Sequence, residues 1–390
     1  MPGAEGRLEA EGWLNESKGR AKDWRPACLA TGIGSLPHRD PVRASEIVLD
    51  NFPEIPFWPQ LPKRDSRESM YAMYSEGLPG VVLASEGRVY VDTTLDLLPG
   101  VEEIFSRALA GKVEEFAISP DYAAGFFAFE EALRNAVSVG DRGIKRWTRG
   151  TRPEMIAVKG QVTGPISFGF QVADENRRPL FYHELMSEAV VQLLKFKARW
   201  QEERLKRLAG AGGGGSHAIG TVIFIDEPYL ASYGSAFVSL NREDATRVVG
   251  EVMDGLSGLK GVHCCGNTEW EMLLETPLDI LSFDAFNYAE NLALYAGRIK
   301  DFLTRGGVLA WGIVPTIAED LETHTVESLT ERLEAGMRRL AEKGVSWDDL
   351  LASALITPSC GLGTQDESTA ERALALTAGV SRAMRAKYRL

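Results

Sequence analysis

Residues that bind soft metal ions follow two short apolar runs that are far apart in this chain. His263 and Cys265 lie in the segment Gly-Val-His-Cys-Cys-Gly at 261–266, and Cys360 lies in Thr-Pro-Ser-Cys-Gly-Leu-Gly-Thr at 357–364. The whole sequence has only 4 cysteines and 5 histidines, so few soft ligands exist elsewhere. Imidazole nitrogen and thiolate sulfur bind Zn²⁺ in proteins, and the pattern therefore predicts a zinc site supplied by two strands.

Alternation along an extended segment decides which of these side chains can meet. His263 and Cys265 are two residues apart and are predicted to share one side of their strand, whereas Cys264 turns toward the core. A His-x-Cys pair alone is common by chance, and Cys360 alone also fits a buried small apolar residue. Asp284, a carboxylate that ends the following apolar run, favours the metal interpretation.

Eight apolar runs separated by helical patterns are predicted to be the strands that carry these residues. They lie at 29–36, 56–60, 155–162, 221–226, 260–264, 279–284, 308–314 and 354–358. Helices are predicted at 184–208, 242–256, 321–343 and 369–388, where apolar residues recur at helical spacing. Apolar strands that alternate with helices indicate a parallel sheet covered on both faces. Eight of them favour an α/β fold of the (β/α)₈ TIM barrel type.

Two segments fall outside this alternation. The chain after the second strand is predicted to carry an inserted hairpin, with strands at 81–84 and 88–93. Residues 1–25 are polar and charged, and they are predicted to be an N-terminal arm, with a loosely packed helix at 8–15 as the alternative. The predicted organisation is therefore this arm followed by a single barrel at 26–390.

The composition argues against several classes of partner. The formal net charge of −12 disfavours nucleic acid, because the phosphate backbone is also negative. No apolar run reaches the roughly 18 residues that a membrane-spanning helix needs, and the N-terminal segment has no apolar signal core. With few cysteines as well, we expect a cytoplasmic protein with no membrane partner.

The functional residues of such a barrel stand at the carboxyl ends of the strands. After the first strand, Gly34 and Ser35 form a turn whose N–H groups and hydroxyl suit a small carboxylate, although a simple strand-to-helix turn explains them equally well. The fourth strand ends in Asp226 and Glu227, which alternation directs to opposite sides, so at most one is expected to face the site. Asp226 is able to accept hydrogen bonds from an amino group.

The order of these motifs resembles that of a known family. The motifs are Ile33-Gly-Ser35, Thr163-Gly-Pro165, Ile225-Asp-Glu-Pro228, His263-x-Cys265 and Cys360-Gly-Leu362. They occur in the order of the C-terminal catalytic barrel of cobalamin-independent methionine synthase, within the uroporphyrinogen decarboxylase-like barrel superfamily. The shared order and compatible spacing are far more specific than any single motif.

The resemblance implies a zinc site on His263, Cys265, Asp284 and Cys360. The family has glutamate where this chain has Asp284, and the shorter aspartate would ligate weakly or leave that position to water. Coordination to Zn²⁺ removes the proton of a thiol. The implied function is therefore a zinc-dependent methyltransferase that moves a methyl group to a thiol, with homocysteine as the implied acceptor and methionine as the product.

The resemblance also implies how an amino-acid substrate would be held. It would lie against Gly34 and Ser35 and contact Asp226, which would be the catalytic residue that positions it. A further carboxylate from the segment after the second strand would contact the same substrate. Glu68 and Glu76 are the candidates for that role, and Glu76 is our prediction.

Three departures from the family pattern concern the methyl donor. The accessory barrel is missing, 312–316 contains no histidine where the family has a catalytic one, and Phe168 or Phe170 stands where the family has a tryptophan. The donor therefore stays open between a methylfolate, a methylated corrinoid with a corrinoid protein as partner, and another small methyl donor. Alternative functions are a uroporphyrinogen decarboxylase-like enzyme and a non-catalytic thiol-binding or metal-binding barrel.

Overall fold

A computed structural model describes residues 24–84, 87–138, 155–210, 220–235 and 238–390. Its strands are β1 (Leu29–Ala30), β2 (Val81–Leu83), β3 (Val89–Val91), β4 (Ala157–Thr163), β5 (Ala173–Asp174), β6 (Gly220–Asp226), β7 (Leu259–Cys264), β8 (Ile280–Phe283), β9 (Val308–Val314) and β10 (Ala354–Pro358). Seven of them form one parallel sheet in the order β1-β10-β9-β8-β7-β6-β4. This curled α/β sheet agrees with the predicted barrel class, and six of the eight predicted strands match observed ones to within two residues at each end.

The segment 54–60 spans the open side of the sheet between β1 and β4. Ser35 forms an isolated parallel bridge with Gln60, and Phe57 forms another with Lys159. The predicted second strand is therefore not a regular strand, and this segment joins its neighbours through the two isolated bridges. Its contacts bring the turn that follows β1 next to β4.

The predicted strand at 29–36 is regular only over β1. Gly34 has a φ of +153°, which residues with side chains rarely adopt, and a Cβ there would lie 2.6 Å from Cδ of Gln161. The chain thus leaves regular strand geometry where it passes closest to the inner face of β4. Only glycine permits this approach.

A small second sheet confirms the predicted hairpin. β2 pairs with β3 in antiparallel fashion, and β5 adds to β3 in parallel. The connecting residues Ser85 and Glu86 lie outside the described residues, as do 1–23, which hold most of the predicted N-terminal arm and its alternative helix. The boundary between arm and barrel stays a prediction.

Helices cover the outside of the sheet. They are α1 (Pro41–Asn51), α2 (Ala72–Ser75), α3 (Leu98–Leu109), α4 (Ala124–Ser138), α5 (Pro165–Gln171), α6 (Glu184–Gly210), α7 (Arg242–Asp254), α8 (Trp270–Leu274), α9 (Ala285–Leu292), α10 (Ala296–Thr304), α11 (Ala318–Thr323), α12 (Val326–Glu342), α13 (Trp347–Ala352) and α14 (Glu367–Tyr388). Among the helices of the described ranges, none combines the length and the apolar character needed to cross a membrane.

One predicted helix is wrong in its extent. The helix expected at 321–343 is divided into α11 and α12, because Thr325 takes an extended conformation and caps α12. Its hydroxyl accepts the N–H of Ser328 at 3.3 Å, and the hydroxyl of Ser328 accepts the N–H of Thr325 at 3.0 Å. This reciprocal capping stabilises a new helix start inside a continuous apolar stripe.

Apolar side chains fill the interior of the sheet toward the amino ends of its strands. The cluster consists of Leu29, Ile33, Ile55, Ala157, Val222, Phe224, Ile280, Val308, Ala310 and Leu355. Toward the carboxyl ends polar groups replace them, and Lys159, Gln161 and Thr357 are all at most 1% exposed. A layer of buried polar side chains therefore lies between the apolar cluster and the carboxyl ends of the strands, where the predicted site residues stand.

A substitution at Gly261 on β7 would test how closely the interior of the sheet is packed. A Cβ on Gly261 would lie 2.4 Å from Cδ1 of Phe224, so Gly261→Ala is expected to destabilise the protein by about 1–3 kcal/mol through overpacking. Gly250→Ala in α7 is the matched control, because its Cβ would meet nothing within 4 Å. That change should stabilise the protein by about 0.5–1 kcal/mol. Urea unfolding measures both, and equal effects would contradict the packing argument.

Candidate metal centre at the carboxyl ends of the strands

Three soft ligands predicted from separate strands lie together. One ligand atom each from His263, Cys265 and Cys360 lies within 4.8 Å of the other two. His263 is on β7, Cys265 follows it directly, and Cys360 follows β10. Ligand atoms on one tetrahedral Zn²⁺ lie about 3.5–4 Å apart, because the bonds are about 2.0–2.3 Å long. The three atoms therefore need only small adjustments to share an ion.

The imidazole of His263 is oriented in a way that suits a metal ligand. Its Nδ1 lies 3.0 Å from the hydroxyl of Ser282 on the neighbouring strand. Its Nε2 is buried and has no hydrogen-bond partner in the described structure. A zinc-bound histidine usually has one ring nitrogen held by a neighbouring hydrogen-bonding group, which leaves the other nitrogen for the metal.

The interaction between the Cys265 and Cys360 side chains shifts their pKa values in opposite directions. The thiol of Cys360 donates to Cys265, which together with His263 lowers the pKa of Cys265 to about 4 despite burial. The same hydrogen bond, together with burial, raises the pKa of Cys360. Of the two thiols, Cys265 is therefore the one that loses its proton more readily.

Cys264 confirms the predicted alternation. Its side chain is buried, its Sγ lies 3.5 Å from the carbonyl oxygen of Gly266, and burial raises its pKa to about 12. It therefore remains a neutral thiol on the opposite side of the strand from His263 and Cys265. Two adjacent cysteines consequently have different chemistry.

Asp284, the fourth predicted ligand, is not in the group of atoms within 4.8 Å of one another. It caps α9, where its carboxylate accepts the N–H of Asn287 at 2.9 Å and the Asn287 side-chain amide at 2.7 Å. Burial raises its pKa, and both His263 and Cys265 are near enough to affect it. Asp284 thus lies beside the centre with its oxygens already engaged.

Asp226 lies on the inner face of the sheet beside His263, its partner in the strand register. Burial raises the pKa of Asp226, and the nearby His263 and Lys159 lower it in part, so that the resulting pKa is about 6. Its Oδ1 is buried and accepts no hydrogen bond from the described residues. A buried acceptor without a donor is costly, so this carboxylate is suited to a donor from a ligand.

The side chain of Glu227 lies on the opposite side of the strand from Asp226, where it caps the start of a helix. Its two oxygens accept the N–H groups of Ile166 at 2.9 Å and Ser167 at 2.7 Å, at the start of α5. Burial raises its pKa to about 7. A Cβ on Gly164 would lie 2.1 Å from Cδ of Glu227, so the glycine makes room for this contact. The Thr-Gly-Pro and Asp-Glu-Pro motifs are therefore coupled by one helix cap.

The turn at Gly34 and Ser35 contacts the segment that carries Cys360. The hydroxyl of Ser35 accepts the N–H of Gly363 at 3.2 Å, and its carbonyl accepts the N–H of Leu362 at 2.9 Å. No hydrogen bond from the N–H of Gly34 or Ser35 is found among the described residues. The predicted substrate turn and the predicted metal loop thus form one unit.

The carboxylate of Glu76, the predicted substrate contact, already has partners within the protein. Its carboxylate accepts the N–H of Ser119 at 2.9 Å and lies near the buried ammonium of Lys197. Glu68, the other candidate, is fully buried and forms an ion pair with Arg64 at 2.5 Å, and its Oε2 has no hydrogen-bond partner among the described residues. The contacts of Glu76 explain its position without a ligand.

Sequence reasoning missed the buried polar residues of β4 and an aromatic ring over the site. Lys159 donates to the carbonyl of Ile33 at 2.5 Å, and burial lowers its pKa to about 7. Burial raises the pKa of Tyr71, and the nearby charges of Glu227, Cys265 and Asp226 raise it further. The signal for Lys159 was available, because a lysine inside an otherwise apolar run must be paired when buried.

A histidine does occur in the connection after β9, beyond the interval 312–316. The ring of His324 packs edge-on against Phe286 at 5.2 Å, and its Nδ1 lies 3.2 Å from the hydroxyl of Ser328. Phe286 belongs to α9, which Asp284 caps. His324 therefore lies toward the carboxyl ends of the strands, as the candidate centre does.

Comparison with known proteins supports the fold assignment. A B12-independent methionine synthase from Shewanella sp. W3-18-1, solved in complex with selenomethionine, matches with a TM-score of 0.51 and 14% sequence identity, over 92% of this chain and 98% of the other. A putative vitamin-B12-independent methionine synthase from Listeria monocytogenes matches with a TM-score of 0.48 and 12% identity, over 88% and 85% of the two chains. No family model and no curated protein matches this chain.

The Shewanella structure therefore shares the fold of this chain at low sequence identity. The likeness agrees with the predicted α/β barrel class of fold.

The cap that Glu227 provides can be tested by Glu227→Gln. The amide would place an N–H group against Ile166 or Ser167, so we expect a loss of about 1–3 kcal/mol in the free energy of unfolding at pH 8. Glu46→Gln, on the exposed face of α1, should change it by less than about 0.5 kcal/mol. Urea denaturation compares them, and a neutral Glu227→Gln would refute the capping role.

Proposed function

We propose that this protein is a zinc-dependent methyltransferase whose acceptor is a thiol, with homocysteine as the acceptor and methionine as the product. The observation that carries the proposal is the cluster of His263, Cys265 and Cys360, in which Nε2 of His263 has no hydrogen-bond partner among the described residues. Zn²⁺ in this cluster would supply a deprotonated thiol substrate at neutral pH. Tetrapyrrole decarboxylation, the superfamily alternative, gives no use to these ligands.

The residues around the cluster have roles that suit an amino-acid thiol. The free N–H groups of Gly34 and Ser35 are placed to donate to its carboxylate. The unpartnered Oδ1 of Asp226 is placed to accept from its amino group. Asp284 caps α9 and leaves the fourth position of the zinc site to the substrate or water. These contacts orient the thiol, which accounts for much of the catalysis of a bimolecular transfer.

The likeness to a structure in complex with selenomethionine supports the choice of product. For the donor, we propose a methylfolate or a methylated corrinoid, the latter presented by a partner protein. Phe170 stacks with Phe181 at 4.7 Å and with Tyr229 at 5.9 Å, so its face is already covered by protein. This ring is therefore poorly suited to replace the tryptophan that packs on folate in the family, which favours the corrinoid.

Zinc content tests the ligand set directly. The purified wild type should hold about one zinc ion per chain, and Cys360→Ala should lose most of it on dialysis against a mild chelator. Cys264→Ala is the matched control, because that thiol points away from the cluster. Atomic absorption measures all three. Zinc-free wild type that does not take up zinc, or equal loss in both variants, would falsify the assignment.

Methyl transfer tests the activity itself. Homocysteine is supplied with methylcobalamin or with 5-methyltetrahydrofolate, and methionine is measured. Asp226→Asn should lower kcat/KM by about 10- to 100-fold, since a hydrogen bond to a charged amino group is lost. Asp348→Asn, an exposed aspartate, should leave it unchanged. Full zinc without turnover on either donor would favour a non-catalytic thiol-binding barrel.

A further inference from the structure

The inner face of β4 buries an amide group whose acceptor has no donor. Gln161 is 1% exposed, and its Oε1 is buried without a hydrogen-bond partner in the described structure. An unpaired buried acceptor of this kind costs free energy unless something donates to it. Gln161 is therefore the kind of group that a ligand completes.

The surroundings fix which end of the amide is free. Nε2 of Gln161 donates to the carbonyl of Trp58 at 3.3 Å, so the nitrogen must be on that side and the oxygen on the other. The amide lies flat against the backbone of Gly34, where a Cβ would be 2.8 Å from Oε1. The free oxygen thus lies beside the Gly34 turn, with the whole amide packed against that backbone.

The groups nearby do not supply the missing donor. Lys159, two residues earlier on the same face, donates to the carbonyl of Ile33 and lies over the ring of Phe224 at 4.3 Å. Asp226, on the adjacent strand and the same face, is itself an acceptor with a free Oδ1. Two buried acceptors therefore lie two residues apart in the register of β4 and β6, and the Gly34 turn packs against the amide of Gln161.

We propose that Gln161 is a specificity-determining residue that accepts a hydrogen bond from the amino group of the ligand, beside Asp226. This inference rests on the proposed function, because it takes the ligand to be an α-amino acid. It adds that a neutral acceptor from β4 distinguishes ligands with an amino group from those without one. The neutral amide gives direction to that contact without adding a second negative charge beside Asp226.

Equilibrium binding to the purified protein tests this without turnover. L-methionine and its desamino analogue, 4-(methylthio)butanoate, are titrated calorimetrically into the wild type and into Gln161→Met, which has a similar volume and no carbonyl. The wild type should prefer L-methionine, and Gln161→Met should reduce that preference by about tenfold or more, as for the loss of a hydrogen bond to a charged donor. Affinity for the desamino analogue should be nearly unchanged.

Controls separate the possible failures. Urea unfolding checks that Gln161→Met is folded, and Gln161→Asn, whose shorter side chain moves the oxygen back, should also reduce the preference. An undiminished preference in a folded Gln161→Met would overturn the role of Gln161 and indicate that water completes the amide, while zinc binding and methyl transfer would stand. Wild type that binds neither compound would overturn the amino-acid substrate and this inference together.

Discussion

The register of the parallel strands is the constraint on which the site depends. Thr163, Asp226, His263 and Ser282 are successive partners across β4, β6, β7 and β8, so their side chains share one level and one face. A shift of one residue in any strand would turn its functional group into the surrounding helices. The backbone hydrogen bonds of the sheet therefore place the carboxylate beside the imidazole, and the imidazole beside the hydroxyl that orients it.

The parts of this arrangement that follow from local pattern were predictable from the sequence. Period-two alternation separated Cys264 from Cys265 and Asp226 from Glu227, and apolar runs located the strands that carry them. The pairing of Cys360 with Cys265 needed the fold, because no local signal brings together residues from β7 and β10. The motif order supplied that link, and the geometry agrees with it.

The parts that could not be predicted depend on contacts between distant segments. Glu227 has the same local pattern as a catalytic carboxylate, yet its oxygens are used by backbone groups of α5. The local pattern around Glu68 and Glu76 did not separate the two carboxylates, and the bond of Glu76 to Ser119 depends on how the inserted segment folds back. The helix break at Thr325 was hidden because the apolar stripe of α12 continues through it. Side-chain-to-backbone bonds, rather than hydrophobic pattern, decided each of these cases.

Lys159 has an effect that extends beyond its own burial. Its ammonium donates to the carbonyl oxygen of Ile33, and that carbonyl belongs to the same peptide unit as the N–H of Gly34. A trans peptide is planar, so its C=O and N–H point in opposite directions. Holding the oxygen toward Lys159 therefore directs the Gly34 hydrogen away from it, and the hydrogen bond to the oxygen polarises the whole unit. The buried side chain of Lys159 thus sets both the direction and the strength of the Gly34 N–H donor at the carboxyl end of the sheet.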